Sequence, residues 1–194
     1  MSRVRLTTGG AAIAVFIALG HLPTADANNP NGARKAELQD AAGNVVGSVR
    51  FQNAPGGNVA VTISIDAATP GFHGIHIHAN DNPSNGDGCI GPTFASADGH
   101  YSKTPGATHG AHTGDLPNVL VTPDGRGALS LVTDRFELAE LPGRAVILHT
   151  GVDNHANVPT AGGANDYTPN TAGAVALTAS TGNAGGRAAC GVIE

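Results

Sequence analysis

The sequence predicts an all-β domain, a sandwich or a barrel of short strands. Apolar residues recur at every second position over several runs, the period of a half-buried strand. Gly- and Pro-rich turns separate those runs. No long stretch combines a helical period with capping residues, so alternating helices and strands are excluded. Of 194 residues, 40% are hydrophobic and 13% charged, a balance suited to one packed domain and unlike a disordered chain.

The first element stands outside that domain. Residues 1–27 read as a secretory signal peptide: Arg3 and Arg5 precede a short apolar run, Ala11 to Leu19, and Ala25-Asp26-Ala27 offers a cleavage site. The run is too short to span a bilayer, and no cysteine follows it to carry a lipid. An uncleaved anchor or a buried helix is the alternative. Residues 28–194 are therefore expected to be one exported domain without a membrane span, with residues 28–32 a loose leader.

From Ala33 onward the period is two. Val45, Gly47, Val49 and Phe51 alternate with other residues, as do Val59, Val61, Ile63 and Ile65. Asp40 to Asn44 separates two period-two runs and reads as a hairpin turn. Ile75 and Ile77 continue the alternation. Val119 and Val121 lead through Pro123-Asp124-Gly125 to Leu129 and Leu131. Arg144 to His149 forms another apolar strand, and Val175 to Thr178 a weaker one. Two stretches, 79–115 and 150–174, are too long for turns; such loops in a compact domain are usually functional.

The net charge of −5 argues against a general nucleic-acid binder. Nine histidines stand against two cysteines. In an oxidising compartment Cys89 and Cys190 are most simply one disulfide, which would close a loop of about a hundred residues and contribute about 4 kcal/mol. Two separate buried thiols are the alternative.

The long loops flank the histidines. In Gly71-Phe72-His73-Gly74-Ile75-His76-Ile77-His78, residues two apart on a strand share a face. His76 and His78 then lie about 6.6 Å apart at the Cα atoms, near enough for two imidazoles to meet one metal, while Ile75 and Ile77 face the core. A second group, His100, His109, His112 and Asp115, offers three imidazoles and a carboxylate, a set that suits tetrahedral zinc. A polar surface loop that happens to hold three histidines is the alternative. His149 closes its apolar strand at the mouth of the second long loop.

GFHGIHIH, His100, HTGDL at 112–116, ILHTGVDN at 147–154 and TGNAGGRAACGVI at 181–193 follow one another in this order. With these motifs the chain resembles the copper/zinc superoxide dismutases, of the exported bacterial kind, over nearly all of residues 33–194. The resemblance implies a Greek-key β-sandwich or flattened barrel with two long functional loops. It implies an oxidoreductase that converts superoxide anion to dioxygen and hydrogen peroxide, as a monomer or homodimer, secreted or held at the cell envelope. It assigns His76, His78, His100 and His149 to copper, and His100, His109, His112 and Asp115 to zinc, with His100 shared. Asp153 matches the carboxylate that bonds the outer nitrogens of His76 and His109. Arg187 matches the arginine that attracts the anion beside the copper, and Thr181 the threonine that narrows the channel. Cys89 and Cys190 match the family's disulfide. His73 takes a structural place, and His155 and Tyr101 none in the chemistry.

The chain departs from the family pattern in its loops. The spacing from His100 to His109 is one residue longer than usual, and that from His109 to His112 much shorter. Loop 79–88 carries a small insertion. Residues 150–180 contain Asp166 but no Lys or Arg, so the charged cluster that steers superoxide in many relatives is missing. A binding module on the same fold, such as a copper carrier or a zinc-stabilised β-sandwich, and an adhesion domain with incidental histidines are the rival readings. The full copper set together with Arg187 separates the chain from the first. The motif at 181–193 and Asp153 separate it from the second.

Overall fold

The computed structural model describes residues 32–156 and 172–194. Residues 1–31, with the signal-peptide segment, and 157–171, with Asp166, lie outside the described residues.

Among the described residues nine antiparallel strands form one sheet: β1 (Arg34–Asp40), β2 (Val45–Ala54), β3 (Asn58–Ile65), β4 (Gly71–His73), β5 (Ile75–His78), β6 (Val119–Val121), β7 (Gly127–Thr133), β8 (Ala145–His149) and β9 (Arg187–Val192). They are ordered β4-β6-β7-β3-β2-β1-β9-β8-β5. The terminal strands β4 and β5 are successive in the chain, parted only by Gly74, so the sheet curls into a nearly closed barrel. The jumps from β3 to β4 and from β7 to β8 give it a Greek-key path.

Gly74 is where the strand changes its partner from β6 to β8. A Cβ there would come within 2.9 Å of Ala184 and 3.1 Å of both Asp153 and His76. Only glycine leaves room for these neighbours.

Alternation predicts the inner face well along β3, where Val59, Val61, Ile63 and Ile65 are buried. With Leu38, Val49, Ile75, Ile77, Val146 and Leu148 they fill the barrel, and Phe51 meets Phe136 edge to face at 6.2 Å. Val45 departs from the expected inward set. Leu38 pairs with Gly47 but Gln39 with Val45, so Val46 is an extra residue in a bulge. The bulge turns Val46 inward and leaves Val45 exposed.

Strand β8 is buried on both faces. Val146 and Leu148 join the main core, while Ala145 and Ile147 join Phe94, Ala97 and Cys190 in a second cluster beneath the long loop after β5. A disulfide joins Cys89 of that loop to Cys190 of β9, with Cα atoms 5.6 Å apart.

The weak strand expected at Val175–Thr178 is instead part of helix α1 (Ala172–Thr181). Four residues are too few for period two to decide, and the alanine-rich run AGAVALTAST favours a helix. The helix stops at Gly182, with φ +63°, whose N–H returns to the Thr178 carbonyl at 3.0 Å.

Candidate metal centre

His76 and His78 project from the outer side of β5, opposite Ile75 and Ile77. Register sets them against Ile147 and Ala145 of β8, and His149 ends that strand. The long loop after β5 lies over this face, with a bridge between His78 and His100 and another between His76 and Asp115. Covered in this way, His76, His78 and His149 are buried.

Each ring has one nitrogen committed to the protein. His76 Nε2 donates to Asp153 Oδ2 at 2.7 Å. His78 Nδ1 donates to the Asp98 carbonyl at 2.8 Å, and His149 Nδ1 points to the Gly185 carbonyl at 3.3 Å. His100 Nδ1 donates to Asp115 Oδ1 at 2.8 Å. The remaining atoms, His76 Nδ1, His78 Nε2, His100 Nε2 and His149 Nε2, are buried with no hydrogen-bond partner. The four residues offer ligand atoms within 4.8 Å of one another. Buried polar atoms are normally satisfied, so converging lone pairs without donors fit a metal ion.

The second group shares His100. His109 Nε2 donates to Asp153 Oδ1 at 2.8 Å, and His112 Nε2 to the Ala107 carbonyl at 3.0 Å. Their Nδ1 atoms have no aligned partner and lie 3.1 and 3.4 Å from Asp115 Oδ1. His100, His109, His112 and Asp115 again offer atoms within 4.8 Å of one another. Three nitrogens and one carboxylate oxygen fit a tetrahedral zinc ion.

Electrostatics divide the two groups. Burial, reinforced by neighbouring imidazoles, holds His78 well below its ordinary pKa and brings His100 to about 4 and His149 to about 3. Burial also lowers His76, against the pull of Asp153. These rings are neutral at pH 7, as ligands must be. In His109 burial is outweighed by the Asp115 and Asp153 carboxylates beside it, which raise its pKa to about 9. Both carboxylates lie well below their usual range: burial opposes this, and the histidines prevail.

Asp153 touches both groups, through His76 and His109. Its own main chain is gripped by Asn118, whose Nδ2 donates to the Asp153 carbonyl at 2.7 Å and whose Oδ1 accepts its N–H at 2.9 Å. Gly182 packs against the same carboxylate, where a Cβ would fall 2.0 Å from Asp153 Oδ1 and 2.6 Å from His109 Nε2. Sequence reasoning missed both residues, because each acts through contacts between segments far apart in the chain.

An open cleft beside the first group is lined by His100, Arg187, Asp98, Asp81, Asn82 and Asn85. The Arg187 guanidinium donates to the carbonyls of Phe94 and Asp98. Asp98 adopts φ +62° and ψ −157°, a backbone geometry unusual for a residue with a side chain. Its carboxylate accepts the N–H groups of Asp81 and Asn82, both at 2.8 Å, and Asn85 Nδ2 at 2.6 Å.

Thr181 is not among the cleft's lining residues; it is the last residue of α1, its hydroxyl 3.4 Å from the Leu177 carbonyl. His73 is buried, with ring nitrogens 2.7 Å from the carbonyls of His149 and Thr69. Tyr101 packs beneath the Arg144 guanidinium, 3.4 Å from its ring centre. His155 is exposed and accepts from Asn118 at 2.9 Å.

The profile of the copper/zinc superoxide dismutase family matches residues 45–193. The chain belongs to this family. A relative named as a copper-zinc superoxide dismutase, from Mycolicibacterium paratuberculosis, is 38% identical over 191 residues, covering 85% of this chain and 81% of its own. The solved copper/zinc superoxide dismutase from Brucella abortus is 28% identical with a TM-score of 0.61, over 84% of this chain and 99% of that one. The solved clock protein EA4 is 29% identical with a TM-score of 0.63, over 83% and 92%. The disulfide and the strand-borne histidines thus sit in a family fold that reaches almost the whole of the described chain.

Proposed function

We propose that the protein disproportionates superoxide, with copper held by His76, His78, His100 and His149 and zinc by His100, His109, His112 and Asp115. The observation that carries this reading is the convergence of four unpartnered, buried imidazole nitrogens beside the cleft that Arg187 lines. Copper held there would supply a one-electron couple, through which one superoxide is oxidised to dioxygen and a second is reduced, with two protons, to hydrogen peroxide.

The chain's own groups do the rest. Arg187 is a fixed cation at the cleft, and its anchorage on the Phe94 and Asp98 carbonyls uses only part of its donor set, leaving other N–H groups for a small anion. Asp153 accepts the Nε2–H of both His76 and His109, which leaves Nδ1 as the atom that each ring would give to a metal. His100 presents Nε2 to one group and Nδ1 to the other, so a proton can be held at Nε2 while Nδ1 stays engaged.

The test is superoxide decay on the purified protein after copper and zinc loading, beside His149→Ala. We expect decay with the parent protein and none with the variant, at an unchanged circular dichroism spectrum. A parent that binds copper without consuming superoxide would make it a copper-binding module. A fully active variant would overturn the copper assignment.

Export belongs to the same reading. The mature protein begins at Asn28 and works outside the cytoplasm, where a disulfide such as Cys89–Cys190 persists. Among the described residues no helix is long and apolar enough to cross a membrane. An intact N-terminal mass starting at Asn28 in the exported fraction supports this, and one retaining Met1 contradicts it. Sedimentation decides between monomer and homodimer.

A further inference from the structure

We propose that Arg135 is the positioning residue for the loop-borne half of the centre, holding His112 and Asp115 in ligand geometry through their main chain. The inference rests on the zinc reading above.

Residues 110–115 carry two of the zinc ligands, yet they contain neither strand nor helix. Their peptide groups are ordered from two sides. On the inner side Asp115 Oδ2 accepts the N–H of Gly110 at 2.7 Å and of His112 at 3.0 Å. On the outer side the Arg135 guanidinium donates to three carbonyls. Nη1 reaches His112 at 2.8 Å and Asp115 at 3.2 Å, and Nη2 reaches Gly110 at 2.9 Å. Gly110 and His112 are therefore held at both ends, donors toward an anion and acceptors toward a cation.

Arg135 is well placed to act as a fixed post. It follows the end of β7, and its own N–H donates to Thr133 Oγ1 at 3.2 Å. The next residue, Phe136, is buried against Phe51 in the barrel. The loop is thereby tied to the barrel through one guanidinium. Among the described residues Arg135 forms no ion pair, so its charge is directed at the loop's carbonyls. A planar fork with several donors can span three carbonyls on a curved loop, whereas a lysine ammonium is a single point.

The test compares the parent chain with Arg135→Ala and Arg135→Lys. Zinc affinity is read by competition with a chromophoric chelator, and site geometry by the visible d–d bands of cobalt(II) bound in place of zinc. Copper affinity serves as an internal control. Outer partners of metal ligands typically contribute ten- to a hundredfold in affinity. We expect a loss of about that size in Arg135→Ala with altered cobalt bands, no recovery in Arg135→Lys, and unchanged copper affinity. Parent-like zinc affinity and cobalt bands in Arg135→Ala would overturn the inference, as would full recovery with lysine. Equal losses of copper and zinc would also overturn it, showing a general structural role. If Arg135→Ala does not fold, Arg135→Lys carries the same decision. A parent chain that takes up no zinc would instead remove the zinc reading beneath.

Discussion

The two halves of the centre are built in different ways. His76, His78 and His149 stand on paired strands, where register fixes each Cα before any ligand arrives. His109, His112 and Asp115 stand on a loop whose shape depends on individual hydrogen bonds, to Asp153, the Ala107 carbonyl and Arg135. Strand positions give neutral, desolvated imidazoles. Loop positions bring in two carboxylates and a histidine that carries charge without a metal. The copper half should therefore be preformed and rigid, and the zinc half the easier to loosen.

Single-ligand removal separates the halves most sharply. His78→Ala should reduce superoxide decay to the background rate, because it would remove a strand-borne ligand of the proposed copper group. His112→Ala should keep its copper and part of its activity while losing zinc, read by metal analysis beside the same assay. Equal loss in both variants would contradict the division.

Replacing Cys89 and Cys190 by serine comes next. Releasing the loop of about a hundred residues should cost about 4 kcal/mol, seen as a lower midpoint in chemical denaturation. The freed loop also carries Phe94, whose carbonyl accepts from Arg187, so activity should fall with stability. An unchanged midpoint would show that packing of Phe94, Ala97 and Ile147 holds the loop by itself.

Asp153→Asn tests the link between the halves. An amide must offer its NH2 to one ring or the other, so it cannot accept from both His76 and His109. Affinity for both metals should drop by about ten- to a hundredfold in chelator competition. A drop for one metal alone would show that Asp153 positions only that half.

The most gradual effect is on pH dependence. In the metal-free protein His100 and His149 resist protonation until about pH 4 and 3, whereas the unfolded chain protonates them near 6.5. Stability should thus fall as pH drops below 6.5, by about 1 kcal/mol per pH unit for each ring. His109 has the opposite sign. Its pKa is raised to about 9, so its contribution is present below 6.5 and is lost as pH rises from 6.5 to 9. Urea midpoints from pH 4 to 9 should peak between these limbs; a flat profile would contradict the burial argument.

The same contrast explains how much could be read from the sequence. Strand-borne features follow a local rule: His-x-His puts two rings on one face, and the Val/Ile alternation of β3 marks its buried side. The bulge at Val46 escapes that rule because it depends on the pairing partner. Helix α1 escapes because a four-residue run cannot fix a period. The loop half has no local rule. His109, His112 and Asp115 are grouped by composition, and Asp153 is named through resemblance alone. Arg135, Asn118 and Gly182 act on main-chain atoms or on empty space, and neither leaves a pattern in a single sequence.

The most direct test of the account is metal analysis by mass spectrometry on the purified protein, paired with superoxide decay after copper loading. One copper and one zinc per chain are expected, with decay that depends on the copper. Copper bound at full occupancy with no decay of superoxide would contradict it.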